Sequence, residues 1–516
     1  MELREQINAL KAIESKAKKD VAEGAEDAII VSSTTRRMAF AYERFRNVLE
    51  PDEADILRRK ALWRMLDRRL RADKPPHVIA TAILQELVRA HYTKSATQAD
   101  TKPITEYVRR AAHIYPRLKA GLNDLFLDVV AVAIDRHLYP RQMEEGFIQL
   151  MYQDVFHRVI WTDNLLSVEE QPVQLYIACH RTLFAADDKE IMYHFFIGRY
   201  PMWLKETLPA EDTETLLQEL PQFLDWAHST MAHPVRERLY RIMRPVAVPY
   251  RILWDIMQAN KEGDWESDDT LATASQNATA ARARHIQSRM GRRAWHSILF
   301  LFFTKTLIAV FIELPYELLL FGIPHYGALL ANIALHPVLL FVASTSVRMP
   351  GASNTARIID QVRRISSGQE PMANIVISRP RRYGAMTWAL FATVYTALFL
   401  FIFYRLFLFL DGLQFSLIAI IIFVVFLGLV SFLSVRIRRQ VEDIRVLPRK
   451  EGAVSLFMSF LFLPILEFGR YLTTHISKLN IFLFLMDLVL EAPFKFFIDV
   501  IEEWFVFIRD RKEEIV

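Results

Sequence analysis

Three charged side chains lie in an otherwise apolar stretch of the sequence, SILFLFFTKTLIAVFIELPYELLLFG (297–322). They are Lys305, Glu313 and Glu317. In the hydrocarbon of a bilayer a charge costs about 3 kcal/mol, so each of them is expected to face protein and to find a partner. Charges in such a place either pair and hold helices together or carry protons or ions through the membrane. The sequence leaves both interpretations open.

Later apolar stretches carry further charges. We predict that Lys305 pairs with Asp487 or Glu491, because both lie in the last predicted span. Near Glu467 stands Arg470, another charge in an apolar setting. The candidate intramembrane charges are Lys305, Glu313, Glu317, Glu467, Asp487 and Glu491.

A proline between the two glutamates predicts where the first span ends. If the span begins near Ser297, Glu313 lies about 24 Å along the helix, close to the far interface. Pro315 lacks an N–H and suits the first turn of a new helix, and Glu317 near that start favours the positive end of its dipole. We therefore expect the span to end at Glu313 and residues 315–322 to form a short flanking helix.

A second stretch, LVLEAPFKFFIDV (488–500), repeats this pattern. Its Glu491, Pro493 and Phe494 match Glu313, Pro315 and Tyr316. Inverted repeats with interrupted helices are frequent in transporters. The alternative is that glutamate and proline simply mark the point where a span meets a flanking helix.

These charges must be positioned by membrane-spanning helices. A helix needs about 20 apolar residues to cross a bilayer. The stretches that meet or approach this length are 297–322, 327–345, 385–404, 413–435, 453–468 and 479–494, of which the last two are short. The sequence thus predicts a bundle of about six spans over 295–492, with Asp411 and Gly412 as the turn of a helical hairpin.

Arginine placement predicts the orientation of this bundle. The loop 347–383 holds seven arginines and the segment 436–452 holds five, whereas the 411–412 turn has none. Because positive loops stay on the cytoplasmic side, we expect both loops and both termini in the cytoplasm. The predicted location is the inner or plasma membrane, and the bundle is predicted to contact the lipid bilayer.

Residues 1–260 are predicted to form a soluble helical domain. Apolar residues recur there at helical spacing, as in ADILRRKALWRMLDRRL (54–70). No stretch alternates apolar and polar residues long enough to indicate a sheet, so the predicted fold class is all-α. A single cysteine, Cys179, fits a reducing compartment, and the charged N-terminal stretch lacks the apolar core of a cleaved signal.

Two polar segments flank the predicted bundle. Residues 261–294 are predicted to be a polar linker followed by a basic juxtamembrane segment. Its arginines are expected to attract anionic lipid at about 1 kcal/mol each; they are Arg282, Arg284, Arg289, Arg292 and Arg293. Residues 493–516 are predicted to form an amphipathic helix at the cytoplasmic interface.

Composition and motifs restrict the function. The net charge of +4 in 516 residues gives no case for nucleic acid as a partner. The sequence lacks the glycine-rich phosphate motifs and the spaced cysteine and histidine ligands of zinc sites. We therefore expect neither a cofactor nor an enzyme. The leading hypothesis is a membrane-anchored interaction or scaffold protein that binds a cytoplasmic partner through 1–260. The alternative is a transporter or channel that uses Lys305, Glu313, Asp487 and Glu491.

The stretch SVEEQPVQLYIACHRTLFAADDKEIMYHFFIGRYPMW (167–203) resembles a segment of uncharacterised multi-pass membrane proteins from small-genome bacteria. The turn ELPY (313–316) is similar to an EIPY-like turn of the same proteins. The resemblance covers about a tenth of the chain. It implies a bacterial inner-membrane protein with a helical cytoplasmic domain, and it implies no activity, cofactor or catalytic residue.

Overall fold

The computed structural model describes residues 54–479, except for 73, 91, 93–97, 163–164, 260–266, 323–324, 368–373, 380–383 and 449–451. Nearly all of its secondary structure is helical, which confirms the all-α class. The predicted sixth span (479–494), Asp487, Glu491 and the amphipathic tail 493–516 lie outside the described residues, apart from Leu479 itself.

The helices and strands follow one another in this order: α1 (Ala54–Leu70), α2 (Pro76–Arg89), α3 (Thr101–Ile114), α4 (Leu122–Leu138), α5 (Gln142–Arg158), β1 (Val159–Trp161), α6 (Glu170–Phe184), α7 (Asp188–Arg199), α8 (Ala210–Met231), α9 (Arg236–Ala259), α10 (Asp268–Ile308), a π-helical segment (Ala309–Glu313), α11 (Leu314–Phe321), α12 (Tyr326–Thr345), α13 (Ala352–Ser367), β2 (Ile375–Ile377), α14 (Ala385–Gly412), α15 (Leu417–Arg439) and α16 (Ala453–Leu479).

The chain forms two compact units. The N-terminal unit comprises Met1–Thr279 and Ala352–Pro380, and the membrane unit comprises Ala280–Gly351 and Arg381–Val516. The N-terminal unit is therefore built from two separate stretches of the sequence.

The core of the N-terminal unit surrounds α4. Residues 129–134 of this helix are all buried, on every side of the helix, as expected of a helix at the centre of a bundle. Helix α3 instead buries one stripe, Ile104, Val108, Ala111 and Ile114, at the spacing of an amphipathic helix. The rings of Phe126 and Phe196 pack edge-on against Trp203, with centroids 5.9 and 5.2 Å away.

Two short strands join the two stretches of the N-terminal unit. Strands β1 and β2 pair in parallel, with Ile160 opposite Val376. The sequence predicted no strand. Three-residue strands are too short to show the alternation that identifies a strand. As a consequence, the arginine-rich stretch 347–383 is not simply a loop, because α13 and β2 belong to this unit.

The predicted polar linker also differs from the structure. Helix α10 begins at Asp268 and continues through the arginines into the apolar stretch. Alanine, glutamine and arginine are strong helix formers, so a helix that begins among polar residues can extend into the apolar run without a break.

Five helical segments in the described part are long and apolar enough to cross a membrane: Asp268–Leu320, Tyr326–Thr345, Ala385–Gly412, Leu417–Ile444 and Leu456–Thr473. They match the first five predicted spans. The predicted turn at Asp411–Gly412 is present, since α14 ends at Gly412 and the Ser416 side chain caps α15 by accepting the Ala419 N–H.

A contact between two glycines fixes the crossing of α15 and α16. A Cβ atom on Gly469 would lie 2.0 Å from the carbonyl oxygen of Gly428 and 2.6 Å from its carbonyl carbon. Such close approach of two backbones requires small residues at the crossing.

Replacing Gly469 with alanine is therefore expected to destabilise the membrane unit by about 3 kcal/mol, because the clash is with backbone and only separation of the helices relieves it. Gly428→Ala should cost less, since its nearest neighbour, at 2.9 Å, is the movable Phe468 side chain. Gly327→Ala is the matched control, with nothing within 4 Å. Thermal unfolding of the purified full-length protein in detergent measures all three, and a Gly327 effect as large as that of Gly469 would contradict the prediction.

Candidate functional site

The backbone changes its hydrogen bonding beside the candidate charges. Residues Ala309–Glu313 form a π-helical turn, and the Leu314 N–H donates to the Ala309 carbonyl five residues back. Pro315, in the first turn of α11, has no N–H to donate. Single π turns inside helices frequently mark functional sites.

Two helical segments meet at Glu313, where the sequence predicts the end of the first span. The backbone stays helical through Glu313, where the π-helical turn ends and α11 begins, and the end of the membrane span at this residue stays a prediction. The predicted short flanking helix is present as α11, and Gly322 ends it in the left-handed conformation, with φ of 72°. That conformation suits glycine because it has no Cβ.

Lys305 and Glu313 form an ion pair inside the membrane unit. Both side chains are 0% exposed, and Lys305 Nζ lies 3.5 Å from Glu313 Oε1. Eight residues span about 12 Å along a helix, so the lysine must extend along the helix axis to reach its partner. Its ammonium also lies 4.7 Å from the centre of the Phe426 ring, within the range of a cation–π interaction.

Helix α12 supplies polar groups to the same cluster. Asn332 Nδ2 lies 2.9 and 2.8 Å from the two carboxylate oxygens of Glu313 and donates to them. His336 Nε2 is 3.0 Å from the Phe423 carbonyl oxygen of α15, and its Nδ1 is 3.2 Å from the Asn332 carbonyl. The cluster, which consists of Lys305, Glu313, Asn332 and His336, thus connects α10, the π-helical turn, α12 and α15.

The cluster retains hydrogen-bonding capacity. Within the described residues, Lys305 Nζ makes no close hydrogen bond and Asn332 Oδ1 has no donor. The 3.5 Å ion pair is long for a hydrogen bond.

The remaining predicted charges do not join this cluster. Glu317 is buried and accepts the His325 N–H at 2.9 Å, which connects α11 to the start of α12. Glu467 pairs with Arg470 at 2.8 Å on an exposed surface of α16. Lys305 has Glu313 as its partner, whereas its predicted partners Asp487 and Glu491 lie outside the described residues.

Two members of the cluster were missed as site residues by the sequence reasoning, Asn332 and His336. Their spacing of four places them on one face of a helix, and this regular spacing of polar residues in an apolar stretch was the available signal. The five juxtamembrane arginines, Arg282, Arg284, Arg289, Arg292 and Arg293, lie on α10 just before the exposed Trp295. Lipid binding by these arginines stays a prediction.

A second buried polar cluster lies in the N-terminal unit, where the sequence predicted none. Glu190 of α7 pairs with Arg59 of α1 at 2.8 Å and with Arg136 of α4. Burial alone would raise the pKa of Glu190, but Arg136 and Arg59 outweigh burial and lower it to about 2. Close by, Arg58 pairs with the buried Asp135.

Two histidines pack beside this network. The ring centroids of His180 and His194 lie 4.7 Å apart, and Tyr176 lies 4.4 Å from His180. Burial, followed by the neighbouring His194, holds the pKa of His180 well below its usual range. Burial and the Arg136 charge lower the pKa of His194 to about 4, against the opposing effect of Glu190.

The N-terminal unit is therefore expected to lose stability as the pH falls from 7 to 5. Both histidines bind protons more weakly in the folded than in the unfolded state, so their contribution to stability is complete above about pH 6.5 and is lost as the pH falls. For His194, whose pKa is about 4, the expected loss between pH 7 and pH 5 is about 2 kcal/mol, and His180 acts in the same direction. Thermal unfolding of the full chain, followed by circular dichroism, should show a weaker pH dependence for His180→Phe. The exposed His77→Gln control should leave it unchanged, and an unaltered pH dependence in His180→Phe would contradict the prediction.

Fold and site together define a helical protein whose described residues include five apolar helices of membrane-spanning length and a buried charge cluster among them. No family model, curated protein or solved structure matches the chain.

Proposed function

We propose that this protein is a membrane-anchored interaction protein whose N-terminal unit binds a partner protein at the membrane surface. The observation that carries the proposal is that this unit is built from two stretches of the chain with apolar helices between them. The chain leaves it after Thr279, makes two apolar helical segments, returns at Ala352 and leaves again after Pro380. Three covalent connections hold the unit to the membrane unit, whereas a single flexible tether would suit a domain that only needs to be kept nearby.

The division of this unit into two stretches also supports an orientation of the chain in the membrane. A compact unit lies on one side of a bilayer, so the stretch 280–351 crosses it an even number of times. The arginines of the returning stretch favour the cytoplasmic side, in agreement with the predicted inner or plasma membrane location. Three further apolar helices follow, and the predicted span 479–494 would bring the C-terminal residues back to the cytoplasm.

An exposed apolar surface on the N-terminal unit suits partner binding. Ile160 and Val376 lie side by side on the paired strands and are 43% and 56% exposed. Phe156, one turn before β1, is also exposed. Neighbouring exposed apolar side chains are typical of protein interaction sites, and among the described residues only these two strands pair.

Site-specific crosslinking in intact membranes tests this role. A photoreactive residue at position 160 or 376 of the full chain should crosslink to the same protein, and Val376→Asp should abolish the product obtained from position 160. Position 168 is the control, since Val168 is exposed and lies outside the strands. If positions 160 and 376 give no product beyond that of position 168, the interaction role is refuted.

The buried cluster favours a second candidate function, proton or ion transport by the membrane unit. Its support is the unfilled hydrogen-bonding capacity of Lys305 and Asn332 within the described residues. Full-length protein in liposomes with a pH gradient tests it. Transport predicts a flux that Asn332→Leu abolishes while the protein still assembles, and the absence of flux in the wild type would exclude it under those conditions.

A further inference from the structure

Helix α14 has an exposed apolar face that carries a charge. Among the described residues only its Leu410 is buried. One side packs on the rest of the membrane unit, with the rings of Phe403 and Phe468 of α16 5.7 Å apart. The opposite side exposes Val394, Phe401 and Leu408, together with Arg405.

Arg405 interrupts the apolar sequence of α14, which continues as far as Leu410. It precedes Asp411 by six residues, or about 9 Å along the helix. Within the described part of the chain it has neither a hydrogen bond nor an ion pair. An arginine in an apolar helix normally faces protein and pairs with an opposite charge.

Residues 480–494 lie outside the described residues and offer that charge. Their sequence, NIFLFLMDLVLEAPF, is apolar apart from Asn480, Asp487 and Glu491. These three are spaced by seven and four residues, which places them on one face of a helix. That face is suited to contact protein, since the remaining residues are suited to lipid.

We propose that the exposed face of α14 is the docking site for residues 480–494 of the same chain, with Asp487 facing Arg405. If each apolar helix crosses once, α14 and this segment run in opposite directions. Asp487 lies seven residues after Asn480, or about 10 Å from that end of the span, which matches the depth of Arg405. The segment directly follows α16, which already contacts α14.

The distribution of charges supports this pairing over two others. Lys305 already has Glu313 as its counter-ion, so Asp487 is not needed there. Arg470 of α16 already pairs with Glu467. Arg405 is the charge in the apolar part of α14 that needs a counter-ion.

Disulfide formation in membranes tests the proposal. In a full-length Cys179→Ser background, Leu408→Cys and Phe484→Cys should form a disulfide within one chain, because both lie four residues from the same end of their spans. The matched control pairs Phe484→Cys with Ile421→Cys in place of Leu408→Cys. Ile421 is an exposed residue of α15 that also lies four residues from the end of its helix. Arg405→Asp or Asp487→Arg should lower the disulfide yield about tenfold, as expected when a buried charge loses its partner, and the double charge reversal should restore it.

Three results would overturn the proposal. A disulfide between two chains would show that a second copy covers α14. If Arg470→Asp, and not Arg405→Asp, restores the disulfide yield of the Asp487→Arg variant, the segment lies on α16. Equal yields for Leu408 and Ile421 with no effect of the charge reversals would mean that Arg405 reaches the lipid headgroups.

Discussion

Replacing Glu313 with alanine should destabilise the membrane unit by about 3–5 kcal/mol, because it leaves the buried Lys305 ammonium without a counter-ion. The same substitution removes the acceptor of both Asn332 hydrogen bonds. Lys305→Ala should cost a similar amount for the converse reason. Thermal unfolding of full-length protein in detergent, or the yield of folded protein from membranes, measures the loss.

The double variant Lys305→Met with Glu313→Leu distinguishes a structural pair from a functional one. If the pair only stabilises the fold, two apolar side chains of similar size should restore most of the stability. Glu442→Ala is the matched control, because its ion pair with Arg445 lies in the basic segment 436–452, outside the apolar run, where the Glu442 side chain is exposed, and exposed pairs contribute about 0–1 kcal/mol. Single variants as stable as the Glu442→Ala control would show that Lys305 and Glu313 do not depend on each other.

Replacing Glu190 with alanine should destabilise the N-terminal unit by about 3–5 kcal/mol. The carboxylate is buried between Arg59 and Arg136, and Arg141 lies 3.8 Å away. Without it, buried guanidinium groups lose a shared counter-ion and repel one another. Loss of helical circular dichroism on heating or in urea measures the effect.

Two further variants serve as comparisons for the stability loss expected of Glu190→Ala. Glu190→Gln keeps the side-chain volume and one acceptor, so it should cost less than the alanine variant. Glu219→Ala removes an exposed carboxylate that lies 3.5 Å from Arg199, and it should cost less than about 1 kcal/mol. If Glu190→Ala behaves like Glu219→Ala, the buried network does not stabilise the unit.

The apolar helices could be predicted because their signal is local. Twenty apolar residues in sequence indicate a span whatever surrounds them, and five of the predicted stretches form helices long and apolar enough to cross a membrane. Two results could not be predicted in this way. The polar residues before the first span continue its helix, and α13 and β2 join the N-terminal unit, because both depend on packing between distant parts of the chain.

The candidate charges were found by sequence, but their partners were not. A charge in an apolar stretch is visible at once, whereas the approach of Asn332 to Glu313 depends on the π-helical turn and on how α12 packs. The network around Glu190 was missed for a different reason. Its arginines lie in helical stretches that also carry solvent-facing charges, and a buried charge has the same sequence signature as a solvent-facing one.

The return of residues 352–380 to the N-terminal unit has a consequence for biosynthesis. Domains usually begin to fold as they leave the ribosome, N-terminal part first. Here the last strand and helix of the N-terminal unit are translated after two apolar helices. The unit therefore completes its fold only after those two helices have been synthesised, so its N-terminal stretch has to wait for the later one.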